Sequence, residues 1–310
     1  MVVLQGGLVH QDKHLLILGL GYSGVGVANY FSQKQGWKVT GTTRRDIDAF
    51  HASHLPLHDT VDIMPCVDFG GQMGRLKPGS PPMVTHILST IPPPNVDSEC
   101  SVDPVIQSIK ESMDTNDLSR VQWMGYLSTT RLYGDHQGAP VWEDSELRDA
   151  ASQHRYRAER EWLENFSQTH IFRCGGIYGP YRSVIESLVQ SGGSTARLRP
   201  SQRARRRRSK VARCHVYDIC NVIEKSIMYP HPGSVYNIVD DDPAPRWQVE
   251  AYAASLLDYH VPPQETDMEP PDKIVMNDRI KKELHVDLVF PSYREGLDAI
   301  VAGDMRPFYL

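Results

Sequence analysis

The chain of 310 residues contains no apolar run of the roughly 18 residues that a membrane-spanning helix requires, which argues against an integral membrane protein. The stretch ahead of residue 14 is too short and wrongly charged for a secretory or transit signal, so a cytoplasmic setting is expected. Cysteine is sparse: Cys66, Cys100, Cys174, Cys214 and Cys220 show no C-x-x-C spacing, which points to reduced thiols and away from a disulfide frame or zinc site. His51, His54 and His58 would share one face of a helix, but Leu55-Pro56-Leu57 interrupts it and neither carboxylate nor cysteine completes a ligand set. No metal is therefore expected. Acidic side chains are missing from residues 196–213, which carry nine of the 33 basic residues of a chain whose net charge is −5. Apolar content of 40% with 8% aromatics is ordinary for a folded globular protein and excludes wholesale disorder.

What the chain does have is the run LLILGLGYSG at residues 15–24. Four consecutive apolar residues read as a strand buried on both faces, and Gly19 permits the tight turn that leaves it. Gly21, without a Cβ, lets backbone approach a pyrophosphate, and Gly24 allows the next helix to pack against the strand. That helix, over about residues 23–33, aims its unsatisfied N–H groups at the anion, with Tyr22 and Ser23 in its opening turn. Residues 38–43 read as a second strand. An NAD enzyme places Asp or Glu near its end to hold the ribose 2′-hydroxyl, whereas this chain has Arg44 and Arg45. A guanidinium grips a 2′-phosphate that a carboxylate would repel, which favours NADP over NAD.

Strand and helix then alternate as in a parallel sheet. Strands are expected at 61–67, 85–91, 122–128, 170–173 and 234–239, with Thr90, near the end of the 85–91 strand, expected to contact the cofactor. Helices are expected at 103–113, 151–166, 183–190, 216–229, 246–257, 277–284 and 293–301. The fold class is α/β, a doubly wound parallel (Rossmann) sheet with a smaller carboxyl-terminal lobe.

Several segments, in order, resemble the extended short-chain dehydrogenase/reductases of the NAD(P)-dependent epimerase/dehydratase group: the glycine turn, Thr42-Thr43-Arg44, residues 126–135 (YLSTTRLYGD), Phe172-Arg173 with residues 176–180 (GIYGP), 215–219 (HVYDI) and 235–240 (VYNIVD). Residues 133–138 (YGDHQG) with 291–296 (PSYREG) are similar to the atypical, YeeZ-type branch. The resemblance spans about residues 14–300. It implies a cofactor domain over 1–180, and a substrate lobe over 181–310 from which about 212–240 return to the sheet. It also implies a Ser or Thr at the end of the fifth strand, matched by Thr129 with Ser128 and Thr130 adjacent, and a Y-x-x-x-K pair on the following helix. Here the chain departs. Aligned on Glu159, the helix carries Arg155 in place of the lysine and Ala151 in place of the tyrosine. Alanine transfers no proton, and arginine is a fixed charge that contacts ribose or phosphate. Tyr30 with Lys34 has the literal spacing but lies on the phosphate-turn helix, and Tyr156 with Arg160 needs a five-residue slip.

Two functions follow from this reading. One is NADP-dependent oxidoreductase or epimerase chemistry on a sugar or carbonyl compound, with Thr129 and an unusual acid/base such as Tyr156, Tyr133 or Glu143. The other is a catalytically impaired nucleotide or redox sensor or scaffold. The basic block offers an exposed loop, a clamp for a phosphate-bearing substrate, or a nucleic-acid contact through Arg203–Arg208, although no aromatics interleave with it to stack bases. His215, at the start of the 216–229 helix, is read as a helix-start residue before a cleft-facing one.

Overall fold

Strands form where the apolar runs lie in the computed structural model, which describes residues 13–51, 55–65, 84–94, 103–192, 210–260 and 268–309. In chain order they are β1 (Lys13–Leu18), β2 (Trp37–Thr43), β3 (Val61–Pro65), β4 (His86–Ser89), β5 (Trp123–Thr129), β6 (Pro140–Val141), β7 (Thr169–Cys174), β8 (Gly176–Tyr178), β9 (Arg213–His215), β10 (Val235–Ile238) and β11 (Ile274–Val275). The helices are α1 (Tyr22–Ser32), α2 (Ile47–His51), α3 (Pro104–Ser112), α4 (Thr115–Ser119), α5 (Gln153–Asn165), α6 (Val184–Gln190), α7 (Val216–Met228), α8 (Arg246–Leu256), α9 (Asp278–Glu283) and α10 (Tyr293–Val301).

Seven strands make one sheet in the order β3-β2-β1-β4-β5-β7-β10, and every pairing is parallel. A parallel sheet must be covered on both faces, and alternation along β1 achieves this. Leu15 and Ile17 enter a core with Val27, Phe31 and Ile223 from α1 and α7, while Leu16 and Leu18 enter a second with Ile106, Ile109 and Trp162 from α3 and α5. The chain runs outward from β1 to β3, then returns to start the other half at β4. The carboxyl ends of β1 and β4 therefore border a crevice at the point where strand order reverses.

The later part of the chain contributes to two bodies. Ile185 and Leu188 of α6, Ala253 and Ala254 of α8, and Tyr293 and Leu297 of α10 form a separate small core. By contrast, Ile280, Leu284, Val286 and Phe308 belong to the main core, as do the buried residues of α7 and β10. Two small parallel pairs lie outside the main sheet, β8 with β9 and β6 with β11, the latter packing Val141 and Val275 with Tyr133 and Val239.

Charge is buried beneath the cleft. Arg173 on β7 grips Glu159 on α5 through Nε and Nη2, the latter at 2.8 Å, and gives Nη1 to the Tyr133 hydroxyl and the Glu143 carbonyl, both at 3.0 Å. Tyr133 in turn donates to Asn237 Oδ1 at 2.7 Å, and the Asn237 amide N–H donates to Glu143 Oε1 at 2.9 Å. Removing one partner of such a pair strands the other charge in a low-dielectric interior. Glu159→Ala is expected to lower the unfolding free energy by about 3–5 kcal/mol in a urea titration. A change under about 1 kcal/mol, the value of an exposed pair, would show that Arg173 finds other compensation.

Two histidines at the sheet's amino-terminal end are buried neutral. Burial pushes His86 and His170 down to about 4, from an ordinary value of 6.5. Between those pH values the unfolded chain binds protons that the folded chain refuses, so these groups remove stability as pH falls through that window. We expect His86→Phe to flatten the loss of thermal stability from about pH 6.5 to about pH 4, by on the order of 3 kcal/mol. An unaltered pH slope in that variant would assign the acid lability to other groups.

Candidate functional site

The turn after β1 is held from both sides. Gly19 has a φ of +100°, which favours glycine. Its N–H donates to Thr42 Oγ1 at 3.0 Å, and the Leu20 N–H donates to the Thr42 carbonyl at 2.7 Å, fixing the turn to β2. On the other side the Thr90 N–H donates to the Leu18 carbonyl at 2.9 Å, and the Thr90 hydroxyl donates to the Gly19 carbonyl at 2.6 Å. A Cβ at Gly24 would overlap that same Gly19 carbonyl oxygen, so the helix comes as close to the strand as backbone permits. Gly21 differs from both. A Cβ there would meet nothing within 4 Å, and its φ of −83° suits any residue. Nothing inside the protein requires glycine at this position, whereas close approach of an external group does. No side chain caps α1, so its first N–H groups face outward from the turn.

A cavity of about 370 Å³ opens at this crevice, and its walls include Gly19, Gly21, Thr90, Arg44 and Arg45. Residues singled out from three separate segments thus come together. Both arginines are exposed. The neighbouring carboxylate, Asp46, is engaged elsewhere: its Oδ1 accepts the N–H groups of Asp48 and Ala49 at 2.9 and 3.3 Å and so caps α2. Tyr22 does not line the cavity. Its hydroxyl donates to the Pro180 carbonyl at 3.0 Å, its ring lies 5.3 Å from Phe308, and burial raises its pKa. Ser23, partly buried, follows it in the first turn of α1.

Thr129 ends β5, in register with Cys174 of β7, and its hydroxyl accepts the Arg131 N–H at 3.2 Å. Beside it Ser128 Oγ is buried without a hydrogen-bond partner, and Thr130 is buried. Along α5 and the turn before it, Ala151, Arg155 and Glu159 fall at four-residue spacing on one stripe, Glu159 fully inward and Arg155 partly buried. Tyr156 is displaced by about 100° around the helix from Arg155. Its side chain is 37% exposed, and its partner by spacing, Arg160, pairs with Glu164 at 2.7 Å on the outer surface. Thr129 and Arg155 are thus partly buried, neither of them among the residues lining the cavity, and Tyr156 lies on the exposed side of the helix. Tyr133 and Glu143 are both buried and both engaged in the Arg173–Asn237 network.

His215 caps α7, its Nδ1 accepting the Tyr217 N–H at 3.2 Å, and burial pushes it down to about 3, so it stays neutral. Tyr30 donates to Glu224 at 2.5 Å and Lys34 pairs with the same carboxylate at 2.6 Å, a structural role for the literal Y-x-x-x-K. Trp162 is fully buried, while Trp142 is exposed with its Nε1 directed at Asp278. Of the three spaced histidines, His54 lies outside the described residues, and His58 is exposed and bonds Thr60. Cys174, Cys214 and Cys220 are free and buried, while Cys66 and Cys100 lie outside the described residues.

A second cavity, of about 610 Å³, was not foreseen. Its walls include Tyr178, Arg182, Glu186, Arg213, Arg246 and Tyr293, drawn from β8, β9, the start of α6, α8 and α10. Its components lie more than a hundred residues apart in sequence, so no local motif announces it. The segment Arg203–Arg208 lies outside the described residues, but Gln190 and Val211, on either side of it in sequence, both line this cavity. Among the described residues, no helix is long and apolar enough to cross a membrane.

No family model matches the chain. The chain is 25% identical over 285 residues to Protein YeeZ of Escherichia coli K12, covering 90% of this chain and 97% of that protein. Among solved structures, a functionally unknown conserved protein from Silicibacter pomeroyi superposes with a TM-score of 0.72 at 32% identity, covering 94% of this chain and 99% of the other. A protein designated an NAD-dependent epimerase/dehydratase from Methylobacillus flagellatus gives 0.68 at 20% identity, over 94% and 98%. UDP-glucuronic acid 4-epimerase from Bacillus cereus, solved with UDP-glucuronic acid and NAD, gives 0.66 at 12% identity over 94% and 98%, a likeness of fold. With the reversal-point glycine turn, the seven-stranded parallel sheet and these full-length similarities in agreement, the chain is a relative of the Silicibacter pomeroyi protein, is similar to YeeZ, and has the Rossmann-type fold of the NAD-dependent epimerases and dehydratases.

Proposed function

We propose that the protein binds NADP in the glycine-turn cleft and a small phosphate-bearing molecule in the second cavity. The observation that carries the first half is the convergence of Gly19, Gly21 and Thr90 with Arg44 and Arg45 on one cavity at the strand-order reversal. The turn and the uncapped first turn of α1 suit a pyrophosphate. The two arginines suit a ribose 2′-phosphate, and the diversion of Asp46 to α2 leaves the ribose hydroxyl of NAD without the carboxylate it ordinarily uses. In this reading Tyr22 and Ser23 contribute the backbone of the opening turn, and Arg155 contacts ribose or phosphate as a fixed charge. Three arginines on the second cavity, Arg182, Arg213 and Arg246, support an anionic ligand there.

For chemistry, Thr129 is the residue proposed to hold a substrate oxygen at the strand end, in an oxidoreductase or epimerase reaction on a sugar or carbonyl compound. A second reading, a nucleotide-responsive sensor or scaffold, is favoured by one observation: the stripe of α5 that would carry tyrosine and lysine carries Ala151 and Arg155.

Fluorescence titration separates the cofactors. NADPH is expected to bind at least about tenfold more tightly than NADH, a difference of about 1.4 kcal/mol, with Arg44→Ala abolishing the preference. Equal affinities would overturn the NADP assignment, and binding of neither would overturn the nicotinamide reading. Turnover separates the two functions. Under the catalytic reading, NADPH is consumed when sugars or carbonyl compounds are supplied, and Thr129→Val lowers the rate by about 100-fold while the exposed Tyr156 tolerates replacement by Phe. Tight binding without turnover over the same panel favours the sensor.

A further inference from the structure

Behind Arg213, a wall residue of the second cavity, lies an unbalanced carboxyl. Asp240, just beyond β10, is only 5% exposed, and neither of its carboxyl oxygens has a hydrogen-bond partner. Its own N–H donates to the Arg213 carbonyl at 2.6 Å, which places it against β9. Arg213, a wall residue of the cavity, gives Nη1 to the carbonyls of Val211 at 2.9 Å and Ala244 at 2.7 Å rather than to a carboxylate. A buried carboxyl that accepts no hydrogen bond among the described residues is costly, and Arg213 is the cation that acts on it electrostatically without bonding it.

The surrounding charges do not relieve them. Asp241 is held by Lys281 at 2.6 Å and by Asn277, and Asp242 by Arg294 at 2.5 Å. Arg246 on α8 pairs with Glu250 at 2.8 Å, and Asp218 on α7 accepts the N–H groups of Val289 and Phe290. Tyr178 on β8 and Tyr293 on α10 are both pushed up by burial and stay neutral. Glu186 accepts the Ser183 N–H and hydroxyl, and Arg182 lies over the Tyr22 ring, so Arg213 is the cavity arginine set beside an unpartnered carboxyl, that of Asp240.

We infer that Asp240 exchanges a proton with solvent when an anion enters the second cavity, so that anion binding at Arg213 is coupled to proton uptake. The inference rests on reading that cavity as a site for a phosphate-bearing molecule. With Asp240 protonated, the charge of Arg213 is available to an incoming anion. With Asp240 ionised, the carboxylate neutralises Arg213 and repels the anion. Burial, reinforced by Asp242 and Asp241 against the opposing pull of Arg213, raises Asp240 to about 8. The coupling therefore operates near neutral and mildly alkaline pH, and an anion bound at Arg213 favours the protonated form further.

Sulfate tests this on the full chain, because it is a dianion that does not itself titrate near neutral pH. By calorimetry its affinity for the natural protein is expected to fall at least about tenfold from about pH 6.5 to about pH 9.5, whereas Asp240→Asn binds evenly across the range. A second measurement needs no variant: runs in buffers of different ionisation enthalpy should show close to one proton taken up per sulfate near the alkaline midpoint. Sulfate binding that is independent of pH, or that releases no buffer signal, overturns the coupling and leaves the cavity reading intact. A pH dependence that Asp240→Asn retains, or binding that survives Arg213→Ala, overturns it as well. No sulfate binding at any pH removes the anion site and the coupling together, without touching the NADPH titration.

Discussion

Everything at the carboxyl edge of the sheet depends on how closely the first turn of α1 approaches the end of β1. The backbone of Gly24 lies against the Gly19 carbonyl with no space for a side chain, and that same carbonyl accepts the Thr90 hydroxyl. One oxygen thus registers the helix and β4 against β1. Thr42 completes the arrangement from β2 through the Gly19 N–H. The consequence is a turn whose N–H groups are fixed before any ligand arrives, which spares a bound anion the entropy of ordering them. Because strand order reverses here, the carboxyl ends of β1 and β4 border a crevice at the turn.

The second constraint is the buried charge beneath α5. Arg173 and Glu159 are 5% and 2% exposed, and both are fully engaged. A pair so buried is weak evidence for stability in itself, because desolvation offsets much of the attraction. Its effect is geometric. It fixes the rotational phase of α5, so that Glu159 faces inward and Arg155, one turn earlier, faces the same side. It also occupies Tyr133, whose hydroxyl accepts from Arg173 and donates to Asn237, leaving no lone hydrogen for transfer to a substrate. The phase that buries Glu159 is the phase that turns Tyr156 outward.

The sheet was legible because its signals are local. Continuous apolar runs marked β1, β4, β5, β7 and β10, and glycine spacing marked the turn between β1 and α1. The helices α3, α5, α7, α8 and α10 fell within a few residues of their expected limits, each carrying a capping residue, a proline or a clear apolar stripe. The strands β6, β8, β9 and β11, two or three residues long, had no pattern to read, since alternation needs more positions than they possess. Helix α4 of five residues, none of them buried, was equally silent. The second cavity was hidden for a different reason. Arg182, Arg213, Arg246 and Tyr293 acquire meaning only when β8, β9, α8 and α10 are folded together. Tyr133 and Glu143 were attractive in sequence as titratable groups, and three-dimensional neighbours removed that appeal.

Tyr22 ties the glycine turn to the segment that leads into the second cavity. It is the first residue of α1, so its backbone follows the glycine turn directly. Its side chain reaches that other segment: the hydroxyl holds the Pro180 carbonyl, and the Arg182 guanidinium lies 5.2 Å from its ring. Gly179, with a φ of +153°, could not carry a Cβ without striking the Tyr22 hydroxyl at 2.7 Å. Phe308 closes the joint, its ring tilted against Tyr22 at 5.3 Å and edge-on to Tyr181 at 5.4 Å, while its carbonyl accepts the side-chain amide of Asn29 from α1. Close-packed contacts of this kind transmit displacement instead of absorbing it. The glycine turn and the arginine that rims the second cavity are therefore held as one unit, with Phe308 as its clasp.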